Sequence, residues 1–192
     1  MIVLGLDPGT ATTGYGVVEQ AAPGTRRLVE CGVVRTDASA PLELRLEQIF
    51  DAVAELIARI HPAAVAVESV FVAKNPRSAV ILGHARAAAL LAAAKARVPV
   101  SEYAPAMVKK TVVGAGAATK QQVQRMTARL LRLSAPPSPD DAADGVAVAL
   151  THCMRSARTF RRAAALAPGR DPAGGAKKAS GPGTRQSGAV VA

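Results

Sequence analysis

The chain has no tryptophan, three phenylalanines and two tyrosines among its 192 residues. A core built on aromatic packing is therefore excluded, and alanine, valine and leucine must fill it. Its two cysteines, Cys31 and Cys153, do not make a disulfide framework and read as reduced core thiols. No CxxC pair or His/Cys cluster speaks for zinc, and the scattered His61, His84 and His152 are assigned no metal. No run approaches 18 apolar residues, so none reads as a membrane span. No basic stretch precedes the short apolar run at the start, so it does not read as a secretory signal.

Acids are scarce as well, 14 against 24 Lys and Arg, for a net charge of +10. The excess is uneven. Residues 155–192 carry eight Lys or Arg and one Asp, whereas residues 1–154 carry 16 and 13. Segregated positive charge points to a polyanionic partner, and by itself separates nucleic acid only weakly from an anionic membrane. The organisation expected is one domain over residues 1–156, followed by a basic tail over 157–192. That tail is rich in Gly, Pro and Ala, lacks an apolar period and reads as disordered. Helical character is expected to run a turn or two past Ala157.

The pattern predicts strands over residues 2–6, 14–19 and 28–35, with turns at Pro8-Gly9 and Pro23-Gly24. Over 41–60, Leu42, Leu46, Ile49, Val53, Ile57 and Ile60 recur at helical spacing. A fourth strand at 65–69, a long alanine-rich helix at 76–97 and a fifth strand at 98–103 follow. Helices are then predicted over 119–133 and from 140 to about 156. A starting meander followed by alternating helices and strands implies an α/β fold, a mixed five-stranded sheet covered by helices on both faces.

Four acids stand where charge is costly. Asp7 ends the first strand, Glu68 is near the end of "VAVES", and Asp141 and Asp144 share one face of the last helix. Each has a structural reading. Asp7 could close an Asx turn, Glu68 could pair with Lys74 or Arg77, and Asp141 could complete a capping box with Ser138 as cap and Pro139 at the first helical position. Asp144 is harder to place structurally, being the one charge within the apolar run 142–150. If the first and fourth strands are parallel neighbours, Asp7 and Glu68 emerge at one sheet edge, where ligand sites of open sheets lie. Four carboxylates meeting there would raise one another's pKa. Two Mg²⁺ ions would relieve this, because hard cations take oxygen ligands; a pair about 4 Å apart supports phosphodiester hydrolysis.

The stretches "LGLDPGTATTGYGVVE", "VAVESVFVAKN", "VKKTVVGAGAATKQQV" and "DDAADGVAVALTH" resemble, in that order, the RuvC family of Holliday-junction resolvases. The resemblance covers residues 1 to about 154 and leaves the tail without a counterpart. It implies a ribonuclease H-like fold, a homodimer, a cytoplasmic setting and a RuvA–RuvB motor as partner. It also implies nicking of two like-polarity strands of four-way junction DNA, dependent on Mg²⁺ or Mn²⁺. The family's catalytic acids map onto Asp7, Glu68, Asp141 and Asp144. The family pattern D-A-A-D selects Asp141 over Asp140, which lies about 100° round the helix.

By the same resemblance Phe71 stacks on a base of the opened junction, although it could equally cap the core. Lys109 and Lys120 match lysines near the scissile phosphate, and Lys74, Arg77 and Lys110 are further candidate phosphate contacts. Arg125, Arg129 and Arg132 share one helix face, read either as a solvated surface or as a phosphate rail. His152, about two turns beyond Asp144, reads as structural. Two other activities bear comparison. A ribosomal-RNA-processing nuclease would share the fold. A phosphotransferase of the actin and sugar-kinase type would share "DPGT", but it needs a second domain and a second glycine-rich motif, which this chain lacks, and no GxxxxGK[ST] is present.

Overall fold

The computed structural model describes residues 1–22, 24–69 and 76–166, except for the side chains of residues 76, 77 and 157–166. The chain forms β1 (Ile2–Asp7), β2 (Thr12–Ala22), β3 (Thr25–Arg35), α1 (Leu42–Ile60), β4 (Ala64–Glu68), α2 (Pro76–Lys95), β5 (Val100–Tyr103), α3 (Pro105–Val113), α4 (Lys120–Leu131) and α5 (Asp140–Leu166). The sheet order is β3-β2-β1-β4-β5. β1 runs antiparallel to β2 and parallel to β4, and β4 parallel to β5. This is the mixed, helix-covered sheet that the order of apolar segments implies.

Alternation along β1 and β4 sorts side chains to two faces. Leu4, Leu6, Val65 and Val67 pack with Ile49 and Val53 of α1 and Ala85 and Ala89 of α2. Val3 and Ala66 pack with Val108, Val123, Val146 and Leu150 of the α3–α5 side. Each large side chain fully buried in this way contributes about 1.5–3 kcal/mol relative to exposure. The alternation that buries Leu6 and Val67 under α1 and α2 turns Asp7 and Glu68 toward α5.

Several boundaries differ from those the sequence predicts. β2 and β3 run on beyond their apolar stretches, because the pairs Glu19↔Arg27, Gln20↔Arg26 and Ala22↔Thr25 extend the hairpin to Gly24, whose φ of 89° suits a tight turn. An Arg27–Glu19 ion pair of 2.5 Å ties the two strands there. α3 is an additional helix. Pro105 opens it after an extended Ala104, Val108 and Val112 face inward, and Gly114 ends it at φ 96°. α5 continues to Leu166, slightly further than the turn or two expected past Ala157; residues 167–192 lie outside the described residues. Ser138 makes no capping bond among the described residues. The first α5 bond runs from Ala143 N–H to Pro139 O at 3.1 Å.

Residues Ser78–Lys95 of α2 are long and apolar enough, by length and composition, to cross a membrane. Here Ala85, Ala89, Ala92 and Ala93 are fully or almost fully buried against α1 and the sheet, so one face of α2 belongs to the core, while Val80 and Leu91 of the same helix are exposed.

Candidate active site

Asp7 is the last residue of β1, and Gly14 is its partner on β2. A Cβ at Gly14 would stand 1.8 Å from the Asp141 carbonyl oxygen, so only glycine lets the first turn of α5 lie on the sheet here. One turn on, a Cβ at Gly145 would meet the Tyr15 backbone at 2.6 Å. This backbone-to-backbone approach brings Asp141 and Asp144 over the end of β1. Since Leu6 pairs with Val67, Asp7 and Glu68 are the next residues on neighbouring parallel strands.

Two adjoining clefts meet at these carboxylates. One, of about 360 Å³, is lined by Asp7, Thr12, Glu68, Ser69, Leu82 and Asp141, among others. The other, of about 270 Å³, is lined by Asp7, Glu68, Pro105, Lys109, Lys120 and Asp144, among others. Asp7 and Glu68 belong to both. A larger apolar hollow of about 560 Å³ between the ends of α1 and α2 contains none of these residues.

The electrostatics follow from burial. Desolvation, reinforced by Asp144 and Asp141, pushes the Asp7 carboxyl up to about 6. Desolvation, reinforced by Asp7 and Asp144, pushes Glu68 up to about 8, against the pull of Lys109 and Lys120. Burial also raises Asp144, against its hydrogen bond from Lys120. Lys120 Nζ lies 2.8 Å from Asp144 Oδ2 and 3.9 Å from Asp140 Oδ2. That hydrogen bond raises the Lys120 ammonium above its ordinary value.

Asp7 makes no side-chain hydrogen bond among the described residues and so closes no Asx turn. Thr13, fully buried, ties the loop instead, its hydroxyl donating to Gly9 O at 2.9 Å and accepting from Gly9 N–H at 3.3 Å. Glu68 feels Lys109 and Lys120 among the described residues. Asp140 is 74% exposed at its side chain and lines neither cleft. Lys110 is exposed and lines neither as well. Phe71 and Lys74 lie outside the described residues, as does the side chain of Arg77. Thr12, Ser69, Leu82 and Pro105 line the clefts without having been singled out in the sequence. Only Thr12, in "DPGTATT", had a local signal, its place in the loop after Asp7.

The donor set consists of carboxylate oxygens, which suit a hard divalent cation. Three of the four groups, Asp7, Glu68 and Asp144, have pKa values raised by burial, the signature of a site short of positive charge. As they stand, no group of three or more His, Cys, Asp or Glu among the described residues is arranged to hold a metal ion. Asp144 is turned to Lys120 instead. The residues fit such an ion in chemistry, with Lys120 supplying part of the missing charge.

A mixed sheet in this strand order, with acids at the ends of β1 and β4 and on the helix laid across them, defines a ribonuclease H-like nuclease. Residues 3–152 match the family model for crossover junction endodeoxyribonuclease RuvC. The crossover junction endodeoxyribonuclease RuvC of Desulforamulus reducens is 47% identical over 157 residues, covering 81% of this chain and 95% of the relative. That of Yersinia pestis is 49% identical over 160 residues, covering 83% and 91%. A Thermus thermophilus RuvC solved in complex with a Holliday junction substrate superposes with a TM-score of 0.78 at 38% identity, covering 83% of this chain and 96% of that one. A yeast mitochondrial Holliday junction resolvase shares the fold, with a TM-score of 0.56 at 13% identity and 83% coverage of both chains. The chain belongs to the RuvC crossover junction endodeoxyribonuclease family and is a nuclease of the hydrolase class.

Proposed function

We propose that this protein resolves four-way DNA junctions by paired, symmetric nicks, with Asp7, Glu68, Asp141 and Asp144 as catalytic acids holding two Mg²⁺ ions, for which Mn²⁺ substitutes. The observation that carries this reading is the meeting of two clefts on Asp7 and Glu68, with Asp141 in one, Asp144 in the other, and Lys109 and Lys120 alongside. When bound, the two ions supply Lewis acidity to the scissile phosphate and lower the pKa of a water. The protein's own part is positional and electrostatic. Asp7 and Glu68 sit on adjacent strands, so their separation is held by the ladder rather than by side-chain flexibility. Lys109 and Lys120 bring positive charge to a cleft that must accept a phosphodiester, and Lys120 can pass from Asp144 to a phosphate oxygen.

Placing two nicks symmetrically calls for a two-fold pair of subunits, each cutting one strand. α2 supports a homodimer. Val80 and Leu91, 60% and 56% exposed, lie eleven residues apart and so about three turns along one face. Phe71 is proposed to stack on an unpaired base, worth about 1–3 kcal/mol, with Lys74, Arg77 and Lys110 as phosphate contacts. Recombination and DNA repair in the cytoplasm, alongside a RuvA–RuvB motor, complete the reading by family membership.

The test is incubation of the protein with a synthetic four-way junction, a linear duplex and an RNA hairpin, in Mg²⁺, Mn²⁺ or EDTA. Symmetric, ligatable nicks in the junction alone, abolished by EDTA, are expected. Preferred cutting of the RNA would replace the proposal with an RNA-processing activity.

A further inference from the structure

From Tyr103 to Pro139 the chain carries Lys109, Lys110, Lys120, Arg125, Arg129 and Arg132 and no acid at all. Elsewhere on the described surface several arginines are matched, as in Arg27–Glu19, Arg59–Glu30 and Arg86–Glu102, and the unmatched Arg35 and Arg97 stand singly. Arg125, Arg129 and Arg132 are all exposed, and among the described residues none of them makes a side-chain hydrogen bond or ion pair. They project from the side of α4 opposite the buried Val123, Thr127 and Leu131. Arg129 and Arg132, at the last turn, also suit the helix dipole. Arg125 stands mid-helix, where the dipole offers nothing.

α4 starts at the candidate active site, because Lys120 is both its first residue and the partner of Asp144. At 1.5 Å per residue, the three arginines lie about 7.5, 13.5 and 18 Å along the axis from Lys120. One DNA strand rises about 3.4 Å per nucleotide, so the far end of the row corresponds to about five base pairs.

We infer that Arg125, Arg129 and Arg132 form a rail for the sugar–phosphate backbone of one duplex arm of the junction, out to about five base pairs from the cut. The inference rests on the proposed junction activity and adds to it a contact outside the catalytic clefts. The rail reads charge and spacing, so it adds affinity without sequence preference.

The experiment uses the full-length chain and the triple variant R125Q/R129Q/R132Q. Equilibrium binding to a four-way junction is measured without divalent metal between 50 and 200 mM KCl, with hydroxyl-radical footprinting of the bound arms. Each lost phosphate contact lowers the slope of log K against log salt by about 0.9, so a loss of about 2.7 is expected. Wild-type affinity should therefore fall about 40-fold further than that of the variant across this range. Protection about five base pairs from the cut should vanish. R125K/R129K/R132K should restore both, which separates lost charge from a misfolded helix. Equal slopes and footprints for wild type and the glutamine variant overturn the rail while leaving junction cleavage standing. If the wild type binds no junction, the proposed function fails, and the same slopes on linear duplex decide the rail. Equal slopes there overturn it too.

Discussion

Lys120 Nζ stands 2.8 Å from Asp144 Oδ2, so the first residue of α4 neutralises a carboxylate on α5 at the mouth of the candidate active site. The two side chains are 47% and 25% exposed, which keeps the pair modest in energy. The lysine and a divalent cation compete for the same oxygen. In Lys120→Ala, Mn²⁺ binding measured calorimetrically should therefore tighten about fivefold, as expected for a pair worth about 1 kcal/mol. Junction cleavage should fall even so, because phosphate charge is left uncompensated. Weaker metal binding in the variant would show that Lys120 supports the site instead of competing with the ion.

Asp7→Asn keeps the shape of the side chain and removes its charge. Loss of several kcal/mol of transition-state stabilisation corresponds to a fall in cleavage of about 10³-fold. Junction binding should hold or improve, because repulsion of the phosphates drops. Glu68→Gln, Asp141→Asn and Asp144→Asn should behave alike. Asp140→Asn, at an exposed position outside both clefts, should remain active. Single-turnover cleavage beside a binding titration checks all five, and an active Asp7→Asn enzyme would falsify the assignment.

The raised carboxyls set a pH dependence of stability. Glu68 moves from 4.5 to about 8 and Asp7 from 3.8 to about 6 on folding, so the folded state holds these protons more tightly than the unfolded chain. Stability from these groups is greatest below the lower values and declines as pH rises through the window to about 8. Burial lowers the His152 pKa, which acts in the opposite direction, so the difference between wild type and Glu68→Gln isolates the carboxyl. In EDTA, that variant should gain about 1–2 kcal/mol on wild type between pH 6 and 8. Mg²⁺ should narrow the gap by stabilising the wild type. Urea melts at the two pH values decide it, and a gap that does not widen with pH rejects the buried-charge account.

Gly14→Ala puts a methyl group where the Asp141 carbonyl oxygen lies. α5 must lift from β2, at a cost of about 1–3 kcal/mol. The same shift moves Asp141 and Asp144 away from Asp7, so cleavage should fall further than stability alone explains. Denaturant melts paired with cleavage assays test this. Full activity in a folded variant would mean that α5 does not need this close approach.

Much was legible in the sequence because it depends on neighbours along the chain. The apolar alternation of β1 and β4, the helical period of α1 and the charge of Asp144 inside an apolar run are local patterns, and they indicated the fold class and four acids in unfavourable places. α3 was missed because it is nine residues long and only Val108 and Val112 of it are buried, too little for a periodic signal. The overrun of β2 and β3 was hidden for a related reason, since polar residues such as Gln20 and Arg26 extend a ladder through backbone pairing that hydropathy does not register. By itself the sequence determined which residues carry charge and which faces are apolar. Only the tertiary structure decided that Gly14 and Gly145 let α5 lie against the sheet, that Asp7 and Glu68 are shared by two clefts, and that Lys120 meets Asp144. Such distances depend on how separate elements pack, and packing is set by side-chain volume and backbone approach across the whole core.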